Sequence, residues 1–91
     1  MPRVIATHAV GNMDKWLAGG EERAQLFKHF SSAYRIYRHP RENKVALVWE
    51  NANLQKLEAT LTHPDTMKAK SRHTVLDPIE IYVEVEGGET P

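Results

Sequence analysis

Ser32-Ala-Tyr-Arg-Ile-Tyr-Arg-His39 and Lys44-Val-Ala-Leu-Val-Trp-Glu50 are two strand-like runs separated by Pro40-Arg41-Glu42-Asn43. Proline presets a turn and asparagine tolerates a left-handed backbone, so the pair reads as a β-hairpin. Upstream, Arg3 to Val10 begins β-branched and alternates loosely, as a half-buried strand does. Val4, Ala6, His8 and Val10 then share one face. Gly11-Asn12 is a turn and candidate N-cap. Met13, Trp16, Leu17, Gly20, Ala24, Phe27 and Ser31 fall on one helical stripe, interrupted at Gly19-Gly20. Two adjacent glycines cost a helix about 2 kcal/mol relative to alanine. The spacing therefore predicts a short helix, a break, and a second helix from near Glu21-Glu22, whose acids suit a helix N-terminus.

Downstream of the hairpin, Asn51 is expected to cap a helix with Leu54, Leu57 and Leu61 on one stripe. His63-Pro64-Asp65 starts another, with proline at the first helical position and Met67, Ala69 and Val75 facing the core. Asp77-Pro78 is expected to end that segment. Ile79, Ile81, Val83 and Val85 alternate with Glu80, Tyr82, Glu84 and Glu86, the pattern of a strand with one dry and one wet face. The order is β-α-β-β-α-β. It predicts a ferredoxin-like α+β domain over residues 1–86, a four-stranded antiparallel sheet with helices on one face. Residues 87–91 are expected to form a flexible tail.

Ninety-one residues make one domain. Area scaling has roughly 64% of the unfolded surface buried on folding, a small core that contact with a second copy would enlarge. Twelve basic and twelve acidic residues balance, so no global field draws nucleic acid or an anionic membrane. The chain has no cysteine, which excludes disulfides, a thiolate nucleophile and Cys-ligated metal. No apolar run approaches the roughly 20 residues of a membrane span, and Pro2 to Thr7 is too short and polar for a signal peptide. A cytoplasmic location is expected.

Helices on one side leave the other side of the sheet bare. An RNA-recognition motif stacks bases there, using a basic-Gly-aromatic signature on its third strand. Lys44 to Trp49 lacks that signature. An acylphosphatase needs a glycine-rich phosphate loop with an arginine after the first strand, which Gly11-Asn12-Met13 does not supply. The remaining solution is for two copies to press their bare faces together. The chain resembles the dimeric α+β barrel superfamily. The likeness is carried by Val4 to Val10, Trp16, Arg23, Tyr34 to Arg38, Val45 to Glu50 and the His63-Pro64 helix start. It spans nearly the whole chain as a pattern of element order and scattered residues. The superfamily includes antibiotic-biosynthesis and haem-degrading monooxygenases, small polyketide cyclases, isomerases, stress-responsive barrels and many members of unassigned function, to which this pattern is most similar. The resemblance implies a homodimer through the sheet face. The residues suggest a site between sheet and helices for a small apolar or aromatic molecule, with His8 as acid/base and Trp16 and Tyr37 as walls. The resemblance implies either cofactor-independent monooxygenase-like or cyclase/isomerase-like chemistry there, or a non-enzymatic metabolite-binding, structural or stress-related role.

His8, on an otherwise apolar strand face, is the candidate acid/base near neutral pH. The plainer alternative is a core histidine bonded to a backbone carbonyl. Trp16 is a candidate pocket wall, or plain core. Trp49 and Tyr37 are candidate ligand contacts, with a dimer-interface role favoured because interfaces enrich such aromatics. His73 follows the last helix. Haem-degrading members bind iron through a late histidine beside a tryptophan and a first-strand asparagine. Here the first strand has no asparagine and the helices after the hairpin have no tryptophan, so neither haem nor any other cofactor is expected. A solvent-facing loop is the simpler place for His73. His8, His29, His39, His63 and His73 have no metal-ligand spacing. Lys68, Lys70 and Arg72 form a small basic cluster, which serves solubility or receives an anionic ligand tail. Ser31, Ser32 and Ser71 stand in no nucleophile elbow.

Overall fold

In the computed structural model, which describes residues 1–85, the chain runs β1 (Val4–Val10), α1 (Met13–Ala18), α2 (Gly20–Phe27), β2 (Ala33–Arg38), β3 (Lys44–Glu50), α3 (Leu54–Leu61), α4 (Pro64–Arg72) and β4 (Val75–Val83). The expected tail 87–91, with Glu86, lies outside the described residues. The strands form one sheet in the order β2-β3-β1-β4, and every neighbouring pair is antiparallel. This is the ferredoxin-like α+β architecture expected from the element order.

Alternation divides the sheet into two faces. Val4, Ala6, His8 and Val10 of β1 and Val45, Leu47 and Trp49 of β3 are buried beneath the helices. The core continues through Trp16, Phe27, Phe30 and Leu57. Phe27 and Phe30 meet the Trp49 ring edge-on, with centroids 5.3 and 4.9 Å away. The opposite face carries Ile5, Ala46 and Val48 at its centre. Register places Tyr37 beside Ala46 and Tyr82 beside Ile5. Both tyrosines are about half exposed.

Three of the four helices start at a side-chain cap, and α2 starts at Gly19 without one. Asn12 accepts a hydrogen bond from the Lys15 amide at 3.0 Å, and His63 accepts one from the Asp65 amide at 3.1 Å. The break expected at Gly19-Gly20 is present, with Gly19 joining α1 to α2. Five details differ from expectation. The α3 cap is Asn53, whose side chain accepts from the Lys56 amide at 3.0 Å, while Asn51 takes a left-handed turn with φ of 50°. On α3, Leu54 is exposed. On α4 the buried residues are Thr66 and Ala69, and Met67 points outward. Asp77-Pro78 does not precede the last strand but lies within it. Pro78 is tolerated because β4 is an edge strand and its pairing with β1 shifts register between Thr7 and Ala9, opposite the proline. The inner face of β4 is also drier in sequence than in space. Ile79 is half-buried, but Ile81, Val83 and Val85 are exposed beyond the reach of the helices.

Candidate functional site

His8 stands on the central strand β1, facing the helices, and is 9% exposed. Its Nδ1 lies 2.9 Å from the carbonyl oxygen of Ala9. A carbonyl only accepts, so Nδ1 carries the proton and Nε2 keeps its lone pair. Burial holds the imidazole below its ordinary pKa; the Ala9 carbonyl opposes this, and the charges of Arg23 and Lys70 reinforce it. His8 is therefore a neutral imidazole with a basic nitrogen. The backbone bond expected of an ordinary core histidine is present too.

Trp16 of α1 is fully buried, its ring edge-on to His8 at 6.1 Å. The guanidinium of Arg23, one of the most deeply buried polar groups, lies 3.9 Å over the Trp16 ring. Arg23 Nη1 donates to the Trp16 carbonyl and to His73 Nδ1, the latter at 3.3 Å. Because His73 Nδ1 accepts, Nε2 holds that ring's proton and donates it to Glu22 Oε1 at 2.7 Å. Glu22 also pairs with Arg72. Slight burial works against the Glu22 charge, but the bonds from His73 and Arg72 outweigh it and hold the carboxyl below its ordinary pKa.

His73 is thus not a solvent-facing loop residue. It ends α4, is buried, and packs against the α1–α2 junction. Thr74 holds it there. That residue takes a left-handed backbone, φ 58°, and its hydroxyl accepts from the Asn12 amide at 2.9 Å. Gly19 supplies the space: a Cβ at that position would lie within 2.6 Å of the imidazole carbons Cδ2 and Cε1.

His8, Trp16, Trp49 and His73 line one cavity between sheet and helices, together with Ala6, Arg23, Phe27, Leu47, Thr66 and Lys70. Its volume is about 70 Å³, and half-buried Leu26, Leu61, Val75 and Ile79 form its rim. Trp49 lies on this helix-covered side, so the dimer-interface role favoured for it is corrected. Tyr37 lies on the opposite face of the sheet and is not a wall of the cavity. Sequence reasoning about chemistry missed Arg23. The available signal was its spacing, since Trp16, Gly20, Arg23 and Phe27 recur at three and four residues, placing a charge on the buried stripe.

Four buried polar atoms have no hydrogen-bond partner among the described residues: Trp16 Nε1, Arg23 Nε, Trp49 Nε1 and Thr66 Oγ1. All four belong to lining residues of this cavity. Buried polar groups are normally paired, and isolated exceptions cost about 1–3 kcal/mol each. Four such atoms on the lining of one apolar space make these residues candidate partners for a hydrogen-bonding ligand. A larger open groove of about 480 Å³ runs past His29, Lys56, His63 and Asp65 at the surface. It contains no orphaned buried group apart from the shared Thr66. Among the described residues, no three His, Asp or Glu side chains are grouped to hold a metal, and no helix is long and apolar enough to cross a membrane.

The chain matches no protein-family model and no curated protein sequence. Its fold matches solved structures throughout. A Bordetella bronchiseptica protein proposed as an antibiotic biosynthesis monooxygenase superposes with a TM-score of 0.71 at 15% identity, over 92% of this chain and 94% of that one. A NIPSNAP domain protein of unassigned function from Burkholderia xenovorans gives 0.68 at 16% identity, over 93% of each chain. SnoaB from Streptomyces nogalater, described as a cofactor-independent oxygenase, gives 0.64 at 10% identity, over 92% of this chain and 89% of that one. At these identities the likeness is one of fold.

Proposed function

We propose that this protein binds a small molecule with an apolar or aromatic body in the cavity between sheet and helices and acts on it without a cofactor. The observation that carries this reading is the set of orphaned donors around the His8 cavity. His8 Nε2 takes a proton from the bound molecule. Trp16 Nε1, Arg23 Nε and Trp49 Nε1 offer hydrogen bonds to the oxygen on which negative charge then grows. Pre-aimed donors in a dry site are worth far more than the same groups in water. Proton removal followed by charge stabilisation on oxygen is the first half of a cofactor-independent oxygenation and of an isomerisation or cyclisation alike. A fold neighbour described as a cofactor-independent oxygenase supports the first of these.

The active form is a homodimer, and its location is the cytoplasm. Ile5, Ala46 and Val48 make an apolar patch on the bare sheet face, and Tyr37 and Tyr82 flank it. A chain of zero net charge gains solubility by covering such surface. A second reading is a non-enzymatic metabolite-binding or structural dimer. The His8 bond to its own backbone and the small cavity favour it, since drug-sized sites run to about 300–1,000 Å³.

Native mass spectrometry of freshly purified protein tests both. The expected result is twice the 10.4 kDa chain mass plus a co-purified compound. A ligand-free dimer moves the assignment to the second reading, and a monomer at micromolar concentration removes the interface. Once a substrate is identified, an unchanged rate in His8→Ala sinks the catalytic role.

A further inference from the structure

We propose that the cavity selects a monocarboxylate on a slim apolar body, its charge seated against Arg23; this rests on the reading of the cavity as a ligand site and names the chemistry of the ligand.

Arg23 is 6% exposed, and a guanidinium stays charged at any working pH. Its neighbours are a carbonyl, a neutral imidazole nitrogen and an indole face. None of them carries a negative charge. Glu22, the preceding residue, bonds to Arg72 and His73 and supports the Arg23 charge only through space. No other carboxylate among the described residues bonds to Arg23, and its Nε, in the cavity wall, has no partner. Water would satisfy the indoles and the Thr66 hydroxyl but would bring no countercharge. A buried cation with no directly bonded countercharge is costly.

The rest of the lining points the same way. Lys70 adds a second cation at the rim, answered only by the exposed Asp77 at 3.1 Å. Among the described residues, no carboxylate belongs to the lining of the cavity. A carboxylate brings two oxygens and about four lone-pair sites, enough for three N–H donors and one hydroxyl. An ionised phenol brings one oxygen. Ala6, Phe27 and Leu47 suit a hydrocarbon body. The volume, about 70 Å³, corresponds to two or three waters at about 30 Å³ each, so that body is thin and leaves through the Leu26–Leu61 rim.

The chain has only two tryptophans, and both line the cavity, so two indole N–H resonances report on it directly. The uniformly ¹⁵N-labelled full chain is titrated with hexanoate and hexanamide at about pH 7, and with 4-nitrophenolate at about pH 9. Hexanoate is expected to move the Trp16 indole resonance and to bind at least about tenfold more tightly than its amide, since charge-assisted bonds are roughly twice as strong as neutral ones. Arg23→Gln is expected to abolish that preference. Equal binding of acid and amide overturns the charge inference and leaves the apolar pocket standing. Tighter binding of 4-nitrophenolate than of hexanoate overturns the carboxylate assignment. If no compound moves either indole, this inference and the ligand-site reading fall together. The comparison of acid with amide is made on the unmodified chain and stands even if Arg23→Gln does not fold.

Discussion

Replacing Gly19 with alanine tests the architecture of the site without touching a functional side chain. Gly19 has φ −83° and ψ 12°, a conformation open to alanine, so the backbone contributes no strain. The cost is steric. The new methyl would stand within 2.6 Å of His73 Cδ2 and Cε1, and nearer still to Nε2. His73 is a buried ring fixed on both nitrogens, by Arg23 at 3.3 Å and Glu22 at 2.7 Å, and it has no free end to swing away. Overpacking of this kind costs about 1–3 kcal/mol, and a buried group that loses its hydrogen bond costs about 1–3 kcal/mol more. The restricted unfolded chain returns about 0.4–1 kcal/mol. The expected net loss is about 1–6 kcal/mol, a large part of a small domain's stability. Gly20→Ala is the matched control, because the nearest atom to its methyl would be Arg23 Nη2 at 3.9 Å. It is expected to be neutral or stabilising by up to about 1 kcal/mol. Urea midpoints at one fixed protein concentration read both variants. If Gly19→Ala is as stable as Gly20→Ala, the packing of His73 against the helix break is wrong, and with it the support proposed for Arg23.

Three further outcomes are expected. Burial lowers the His8 pKa, so below about pH 6.5 the unfolded chain binds a proton that the folded chain refuses, and stability falls as pH drops through the window between about 6.5 and the lower folded value. Subtracting a His8→Gln urea series from wild type between pH 8 and 5 isolates this slope, up to about 1.4 kcal/mol per pH unit; a flat difference refutes it. Val48→Glu puts a charge at the centre of the bare sheet face and is expected to raise the dimer dissociation constant at least about tenfold, with far-UV circular dichroism retained; light scattering that still gives a dimer rejects that face as the interface. Trp16→Phe keeps an aromatic ring and removes an orphaned N–H, so it should stay within about 1 kcal/mol of wild type, whereas Trp16→Ala should lose about 3–5 kcal/mol. Equal losses in the two Trp16 variants would mean that the indole N–H already has a partner worth keeping.

The fold was readable because its signals are periodic and local. The hairpin, the β1 face that holds His8, and the break at Gly19-Gly20 each depend on a few adjacent residues. Misreadings occur where a local rule is overridden by what packs nearby. Pro78 ends a strand in isolation but survives on an edge at a register shift. Two asparagines, Asn51 and Asn53, both suit a cap, and the turn at Asn51 delays the helix to the second. The inward face of α4 differs by one residue from expectation, burying Thr66 in place of Met67. The site itself was half readable. His8 and Trp16 lie on elements with clear periodicity. His73 was taken for a loop residue because nothing near it in sequence reports that Gly19 lacks a side chain at the point where the imidazole arrives. Tyr37 and Trp49, expected on one side, lie on opposite faces because alternation leaves the register between strands open.

Those long-range contacts give the two walls of the cavity different mechanical characters. His8 and Trp49 belong to the two central strands, paired on both sides. Trp16 and Arg23 hang on two short helices joined at a glycine, of six and eight residues. Helices of that length owe their stability to packing. What holds them to the rest of the site is the chain from Glu22 through His73 to Arg23, with the Thr74 clamp on Asn12. A carboxylate bridging Arg23 to the indole of Trp49 would tie the helical wall to the sheet. Amide exchange along α1 and α2 should then slow on hexanoate binding while exchange in β1 and β3 stays unchanged, because the sheet is already ordered without it. Uniform slowing across helices and sheet would instead point to general stabilisation by mass action, with no special role for the Arg23 wall.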